Sequence, residues 1–208
     1  MSNSQYENVT QELQSKINSS YYRVVQNHEI ELRPKPKDVQ KDNSGNYVVN
    51  VKTPEFPGVC FELEGQKVVA FLQVQNCADD IIVIFNDDDT ITLHIIEFKS
   101  KLNDTEWLKV KKQFEGAFYR FKAICGVIGF NQPIKDTILY TTFREDKVLT
   151  DETTSFILGK AEVGIPESSA NIQDWHSPKI SILEQKLVHK KVQLNVPEDN
   201  IGYQSIQL

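Results

Sequence analysis

The feature that most constrains the fold is a pair of apolar, β-branched runs joined by a short polar turn. Residues 81–85 read Ile-Ile-Val-Ile-Phe and residues 91–98 read Ile-Thr-Leu-His-Ile-Ile-Glu-Phe, with Asn-Asp-Asp-Asp-Thr between them. Runs of this kind are typical of buried strands, and a polar connection of this length is typical of a hairpin. We therefore expect the two runs to pair antiparallel, which places the start of the first run beside the end of the second.

A helix and another strand are predicted after this hairpin. From residue 104 to 125 the apolar residues recur at helical spacing on one stripe, and Asp104 stands at the expected N-cap. Residues 134–143 return to a strand pattern, so the order favours an α/β or α+β class. The other predicted elements are a helix over 4–25, strands over 47–51, 59–63 and 68–74, one or two strands over 180–196, and polar loops over 33–46 and 164–178.

The size of the chain suits one domain. It has 208 residues, of which 39% are hydrophobic, enough to bury a core without disulfides or metals. We expect a single domain over 1–208, with an N-terminal helix and added strands in 1–65, a central core in 66–143 and a strand-bearing C-terminal extension in 144–208. The three cysteines are odd in number and widely spaced, which indicates reduced, buried thiols.

The hydrophobicity and charge of the chain limit the kinds of partner that we expect it to bind. No apolar run approaches the ~20 residues of a membrane span, and the first residues lack the pattern of a signal peptide. We therefore expect a cytoplasmic protein without a membrane partner. The net charge is −6, and it arises within residues 1–100, which hold 9 Lys and Arg against 15 Asp and Glu. This excludes a globally basic nucleic-acid binder but leaves room for one local basic patch.

Acidic and basic residues stand at the ends of the predicted hairpin strands. Asp79 and Asp80 open the first strand, and Glu97-Phe98-Lys99 closes the second. Side chains alternate across a strand, so Glu97 and Lys99 face the same side. Hairpin pairing brings Asp80 near both of them. The carboxylates and the Phe98 carbonyl are oxygen ligands suited to Mg²⁺, and the lysine suits the charge that builds on a phosphate under attack.

A Glu-x-Lys pattern indicates a candidate site only when it ends an apolar strand beside a strand that opens with an acid. It occurs three times, at Glu97–Lys99, Glu145–Lys147 and Glu184–Lys186. Only the first instance follows a β-branched apolar strand whose predicted partner strand opens with an aspartate. The alternative is that these residues form only cross-strand ion pairs in the hairpin, each of which would contribute only ~0.2–1 kcal/mol to the stability of the sheet.

The stretch 66–143 resembles the core of the PD-(D/E)xK nuclease superfamily. The family pattern is an acid at the start of one strand, (D/E)-x-K at the end of the next, then a helix and a further strand. The resemblance implies a restriction-endonuclease-like fold, with a mixed central sheet flanked by helices and, here, extra peripheral strands.

The resemblance also implies roles for individual residues. Asp80 and Glu97 would bind Mg²⁺ or Mn²⁺, with the Phe98 carbonyl as a further ligand, and Lys99 would assist hydrolysis of a phosphodiester. No proline precedes the first acid as the family pattern has it, because Ala78 and Asp79 stand there, so either aspartate fits as the ligand.

The helix that follows carries a candidate nucleic-acid surface. Residues 99–122 hold seven basic and three acidic residues in an acidic chain. We expect Lys101, Lys109 and Lys112 to contact phosphates, and the resemblance adds Gln113, since many family members carry a helical glutamine after the motif. An ordinary solvated helix face is the alternative.

Two functions follow. The first is a Mg²⁺-dependent nuclease that hydrolyses phosphodiester bonds, with DNA as the expected substrate and RNA left open, acting as a homodimer or as a subunit of a restriction, repair or defence system. The second is a catalytically silent subunit of the same fold that serves as a protein-interaction component of a larger complex.

Overall fold

The computed structural model of the chain describes residues 4–33, 47–63, 74–148, 174–194 and 202–208. Its elements, in chain order, are helix α1 (Ser4–Lys16), a 3₁₀ turn (Ser19–Tyr21), β1 (Tyr22–Val24), β2 (Glu29–Leu32), β3 (Tyr47–Lys52), β4 (Gly58–Phe61), β5 (Asp80–Phe85), β6 (Ile91–Leu102), α2 (Asp104–Ile128), β7 (Ile134–Asp146), β8 (Lys179–Ile182), β9 (Gln185–Gln193) and β10 (Gly202–Gln207).

The predicted hairpin forms the centre of a seven-stranded sheet. The strand order is β1-β4-β5-β6-β7-β9-β8. The strands β5 and β6 pair antiparallel, and the Asn86 N–H donates to the Thr90 carbonyl oxygen at 2.9 Å in the turn between them. The pairs β6–β7 and β7–β9 are parallel, and β1–β4, β4–β5 and β8–β9 are antiparallel. The class predicted from the sequence, α+β with a mixed central sheet, is confirmed.

Both faces of the central sheet are covered. Helices α1 and α2 pack on one face, where Leu13, Trp107 and Phe114 meet Ile81 and Ile95 in one hydrophobic cluster. The other face is covered by a second sheet of order β10-β3-β2, which was not predicted. Burial on both faces explains why the sequence of β5 and β6 is almost continuously apolar instead of alternating.

The first predicted helix is shorter than its apolar pattern. Helix α1 ends at Lys16, and the side chain of Asn18 accepts the Ser20 N–H at 2.9 Å to start a 3₁₀ turn. Asn and Ser compete with helices by bonding to nearby backbone groups, so the run Asn-Ser-Ser stops the helix. The chain then continues as β1, which pairs with β4.

The second predicted helix matches its pattern closely. Its buried side chains include the predicted stripe of Trp107, Val110, Phe114, Phe121 and Ile124. Its N-cap lies one residue before the predicted Asp104, because the side chain of the preceding asparagine accepts the Glu106 N–H at 2.9 Å.

Some predicted segments fall outside the described residues, and some observed strands were not predicted. The loop over 33–46 lies outside the described residues except for Arg33, as do 68–73 of the predicted strand 68–74 and most of the loop over 164–178. The strands β1, β2 and β10 were missed, since they are short or depend on distant partners. The three cysteines are buried and unbridged, as expected. Of the helices described, none is long and apolar enough to cross a membrane.

A glycine in α2 allows the helix to approach the segment that leads into β5. A Cβ placed on Gly116 would lie 1.7 Å from the carbonyl oxygen of Asn76, whereas one on Gly126 would meet nothing within 4 Å. The side chain of Arg120 donates to the carbonyl oxygens of Leu63 and Gln75, which holds the same segment from the next turn of the helix. Any side chain at Gly116 must therefore push this segment away from the helix.

We expect Gly116→Ala to lower the free energy of unfolding by at least about 2 kcal/mol, because the added methyl overlaps backbone atoms. Gly126→Ala is the matched control in the same helix. It is expected to raise stability by about 0.5–1 kcal/mol, through helix propensity alone. Urea unfolding followed by circular dichroism measures both. A Gly116→Ala protein as stable as the wild type would contradict the close packing of α2 on Asn76.

Candidate active site

The register of the hairpin decides which aspartate faces Glu97. Asp80 pairs with Ile96, so their side chains lie on the same face of the sheet. That face carries Ile82 and Ile84 and is covered by the second sheet. The thiol of Cys60 donates to Asp80 Oδ1 at 3.7 Å on this side. The pleat therefore turns the Asp80 side chain away from the face that carries Glu97, and the expectation that Asp80 joins Glu97 and Lys99 is corrected.

Asp79, the alternative that the sequence left open, makes the contact. Its backbone N–H donates to Glu97 Oε2 at 3.2 Å, and its own Oδ2 accepts the Phe98 N–H at 2.8 Å. These two hydrogen bonds fix the residue that precedes β5 to the end of its pairing with β6. The carbonyl oxygen of Phe98 was predicted to be a metal ligand. In the structure, the Phe98 N–H donates to Asp79. The Phe98 ring packs into the hydrophobic cluster under the second sheet.

Lys99 completes a charged cluster on the helix side of the sheet. Its Nζ lies 2.7 Å from Glu97 Oε1, and only 18% of the Lys99 side chain and 2% of the Glu97 side chain are exposed. Burial by itself would lower the pKa of the Lys99 ammonium. The carboxylates of Glu97, Asp79 and Glu106 act more strongly in the other direction, so that pKa is raised above its usual value. Lys99 is therefore a cation at neutral pH, suited to stabilising negative charge and not to accepting a proton.

Sequence reasoning missed Glu106, which belongs to the same cluster. Its Oε2 lies 3.9 Å from Lys99 Nζ, and Lys109 forms an ion pair with its other carboxylate oxygen. Glu106 lies in the first turn of α2, directly after the strand that carries Lys99. The spacing Asn103-x-x-Glu106 is typical of a helix start whose third residue reaches back towards the cap, and that signal could have found it.

The charged cluster lies where β6 stops pairing with β5 and continues to pair with β7 alone. Its bonds to β5 end at the pair Asp80–Ile96, whereas its bonds to β7 continue to Leu102 and Asp146. From Glu97 onward, β6 is thus paired in the described structure on one side only. The predicted strand ended at Phe98, and it runs four residues further because β7 extends equally far.

The predicted nucleic-acid residues divide into exposed and structural groups. Lys112 and Lys101 are exposed, and Lys101 Nζ lies 3.7 Å from Glu145 Oε2. Gln113 instead holds the backbone that precedes Asp79. Its side-chain Nε2 donates to the Cys77 carbonyl oxygen at 3.4 Å, and its backbone carbonyl oxygen accepts the Ala78 N–H at 3.0 Å. Gln113 is thus a positioning residue for the start of β5.

A cleft leads from the surface to the two aspartates. It has a volume of about 290 Å³ and is lined by Arg23, Glu31, Arg33, Glu62, Asp79 and Asp80. Its two arginines are held by neighbouring carboxylates, Arg23 by Glu62 at 2.5 Å and Arg33 by Glu31 at 2.5 Å. The cleft therefore brings guanidinium groups and buried carboxylates to one opening.

The carboxylates of this site suit one metal ion. Among the described residues, no three His, Cys, Asp or Glu side chains are grouped as a metal site made by the protein alone would require. Mg²⁺, however, is usually held by one or two carboxylates, with water and substrate phosphate completing its shell. Asp79 and Glu97 are the acidic residues that the structure brings together beside Lys99, since the Asp79 N–H donates to Glu97 Oε2 and Lys99 Nζ lies 2.7 Å from Glu97 Oε1.

Two histidines are buried beside the central strands. His94 lies with its Nδ1 3.2 Å from the Tyr140 hydroxyl. His189 Nε2 lies 2.9 Å from Thr141 Oγ1, and Trp107 and Trp175 contact its ring. Burial lowers the pKa of His94 to about 4 and that of His189 to about 3.

These pKa values predict a loss of stability on mild acidification. Below pH ~6.5 the unfolded chain binds a proton at each histidine while the folded chain does not, so the free energy of unfolding falls. Between pH 7 and 5, His189→Gln should reduce this fall by about 2 kcal/mol. Urea unfolding at both pH values measures it, with His176→Gln, at an exposed position, as the control. Equal slopes for His189→Gln and wild type would contradict a neutral buried His189.

Comparisons with protein-family models, with curated proteins and with solved structures found no match. The likeness to the PD-(D/E)xK superfamily therefore stays a prediction based on the residues of this chain.

Proposed function

We propose that this protein is a Mg²⁺-dependent nuclease with a restriction-endonuclease-like core, which hydrolyses phosphodiester bonds of nucleic acid, with DNA as the first substrate. The observation that carries this proposal is the contact of Asp79, Glu97 and Lys99 on one face, at the point where β5 stops pairing with β6. The order of acid, strand, Glu-x-Lys, helix and parallel strand supports it.

Each residue has a chemical task in the proposal. Asp79 and Glu97 would hold a divalent ion, which supplies charge neutralisation at a phosphate oxygen and an acidified water. In the hydrolysis, a water oxygen bonds to phosphorus as the bond to the leaving oxygen breaks, and that oxygen takes up a proton. The Lys99 ammonium would face the negative charge that grows on the phosphoryl oxygens during this step.

The first test is metal binding. An ion held by Asp79 and Glu97 stabilises the folded state, so Mn²⁺ or Mg²⁺ should raise the melting temperature of the wild type relative to EDTA. Asp79→Asn should abolish this shift. Asp80→Asn should retain it, because the Asp80 side chain lies on the other face of the sheet. Differential scanning fluorimetry measures the shifts, and a shift that depends on Asp80 and not on Asp79 would contradict the assignment.

The second test is cleavage. Duplex DNA, single-stranded DNA and RNA are incubated with EDTA, Mg²⁺ or Mn²⁺, and the metal-dependent rate should fall at least about 10²-fold in Lys99→Met. Because that change leaves Glu97 buried without its cation, Glu97→Gln/Lys99→Met is made as well, and circular dichroism verifies the fold of both. Lys147→Met removes an exposed lysine and should cleave like wild type. Full cleavage by the folded Lys99 variants would overturn the proposal.

A second function is favoured by the burial of Glu97. Its two oxygens already accept bonds from Lys99 and from the Asp79 N–H, and 2% of its side chain is exposed. Such a cluster also suits a catalytically silent subunit of a larger complex, in which the charges only link β5 to β6. The two functions differ in metal binding, since the silent subunit predicts no metal-dependent rise in melting temperature for the wild type.

A further inference from the structure

A second basic surface lies at the opposite end of the central sheet. It is a groove of about 760 Å³ where α2 ends and where β7 and β9 begin. Four lysines line it together with amide side chains, and we call it the lysine groove. Its lysine and amide side chains are Lys122, Lys135, Lys179, Lys186, Asn131 and Gln132.

The lysine groove is positive in a chain whose net charge is −6. Asp136 is the single acidic residue among those that line it in the described structure. Lys135 is neutralised in part, since its Nζ lies 2.7 Å from Asp88 Oδ2. Lys122, Lys179 and Lys186 are exposed, and none of them forms an ion pair with another described residue. Three lysines are therefore available to an anionic partner.

Helix α2 relates the groove to the candidate active site. Glu106, in its first turn, lies 3.9 Å from Lys99, and Lys122 lies sixteen positions further along the same helix. At 1.5 Å per residue this is about 24 Å, or about seven base-pair steps of a duplex. A nucleic acid that runs along this helix can reach both ends at once.

We propose that the lysine groove contacts the phosphate backbone of nucleic acid about seven base pairs from the cleavage position. This inference rests on the proposed function and names a substrate contact for it. Exposed lysines and neutral amides give sequence-independent contacts to phosphate and sugar oxygens, which position a nucleic acid without reading its bases. An acidic protein segment is the competing partner, and competition by polyglutamate separates the two.

The experiment measures binding without cleavage. A fluorescein-labelled 20-base-pair duplex is titrated in EDTA at 50–200 mM salt, and its anisotropy gives Kd. The test variant is Lys122→Gln/Lys179→Gln/Lys186→Gln. The control is Lys16→Gln/Lys52→Gln/Lys147→Gln, which removes the same charge at exposed lysines away from the groove.

We expect the groove variant to bind at least tenfold more weakly at 100 mM salt. The slope of log K against log salt should fall by about 3, since each lost phosphate contact lowers it by about 1. The control should bind like wild type, and a hairpin with a 5-base-pair stem, whose four base-pair steps span about 14 Å and cannot reach both ends, should lose most of the difference between the two variants. Equal weakening of both variants, or competition by polyglutamate at the charge concentration of the duplex, would overturn the proposal.

The outcomes separate this inference from the proposed function. If the groove variant binds like wild type while Lys99→Met has lost cleavage, the groove proposal fails and the nuclease stands. If the groove variant loses binding while Lys99→Met cleaves fully, the backbone contact stands and the assigned active site fails.

Discussion

The structure depends on the pairing of β6 with a strand on each side. Its first half bonds antiparallel to β5 and its whole length bonds parallel to β7. A parallel neighbour requires a crossover, and α2 supplies it while covering the sheet with its apolar stripe. Because helices cover one face and a second sheet covers the other, the residues of β6 from Leu93 to Phe98 are all buried. Any charged side chain placed on this strand must then find partners within the protein.

That requirement explains the cluster around Glu97. A carboxylate with 2% of its side chain exposed is stable only if its charge is compensated, and Lys99 and the Asp79 N–H do so. Asp79 in turn accepts the Phe98 N–H, which β5 no longer satisfies once the strands separate. The same residues place the buried Glu97 carboxylate against the Lys99 ammonium and beside the backbone N–H of Asp79. A purely structural network and the proposed metal site would use the same residues, and a metal-binding measurement distinguishes them.

The packing of α2 sets the position of Asp79. Gly116 allows the helix to touch Asn76, and Gln113 bonds to the backbone at Cys77 and Ala78. The segment that leads into β5 is thus held from the helix side before it reaches the cluster. In the proposed function, the helix also joins the candidate site at its start to the lysine groove at its end, and the acidic remainder of the chain confines phosphate contacts to these places.

The sequence by itself determined the central local elements and gave the hypothesis of a metal-dependent site. Apolar continuity predicted β5 and β6, helical spacing predicted α2, and the context of Glu97-x-Lys99 singled out one of three such motifs. Only the tertiary structure decided between Asp79 and Asp80, because a shift of one residue in register moves a side chain to the other face of a sheet. It also decided that Glu106 joins the cluster, that Gln113 turns inward and that β10 pairs with β3. The last two depend on residues far apart in the chain, whose contacts local patterns do not encode.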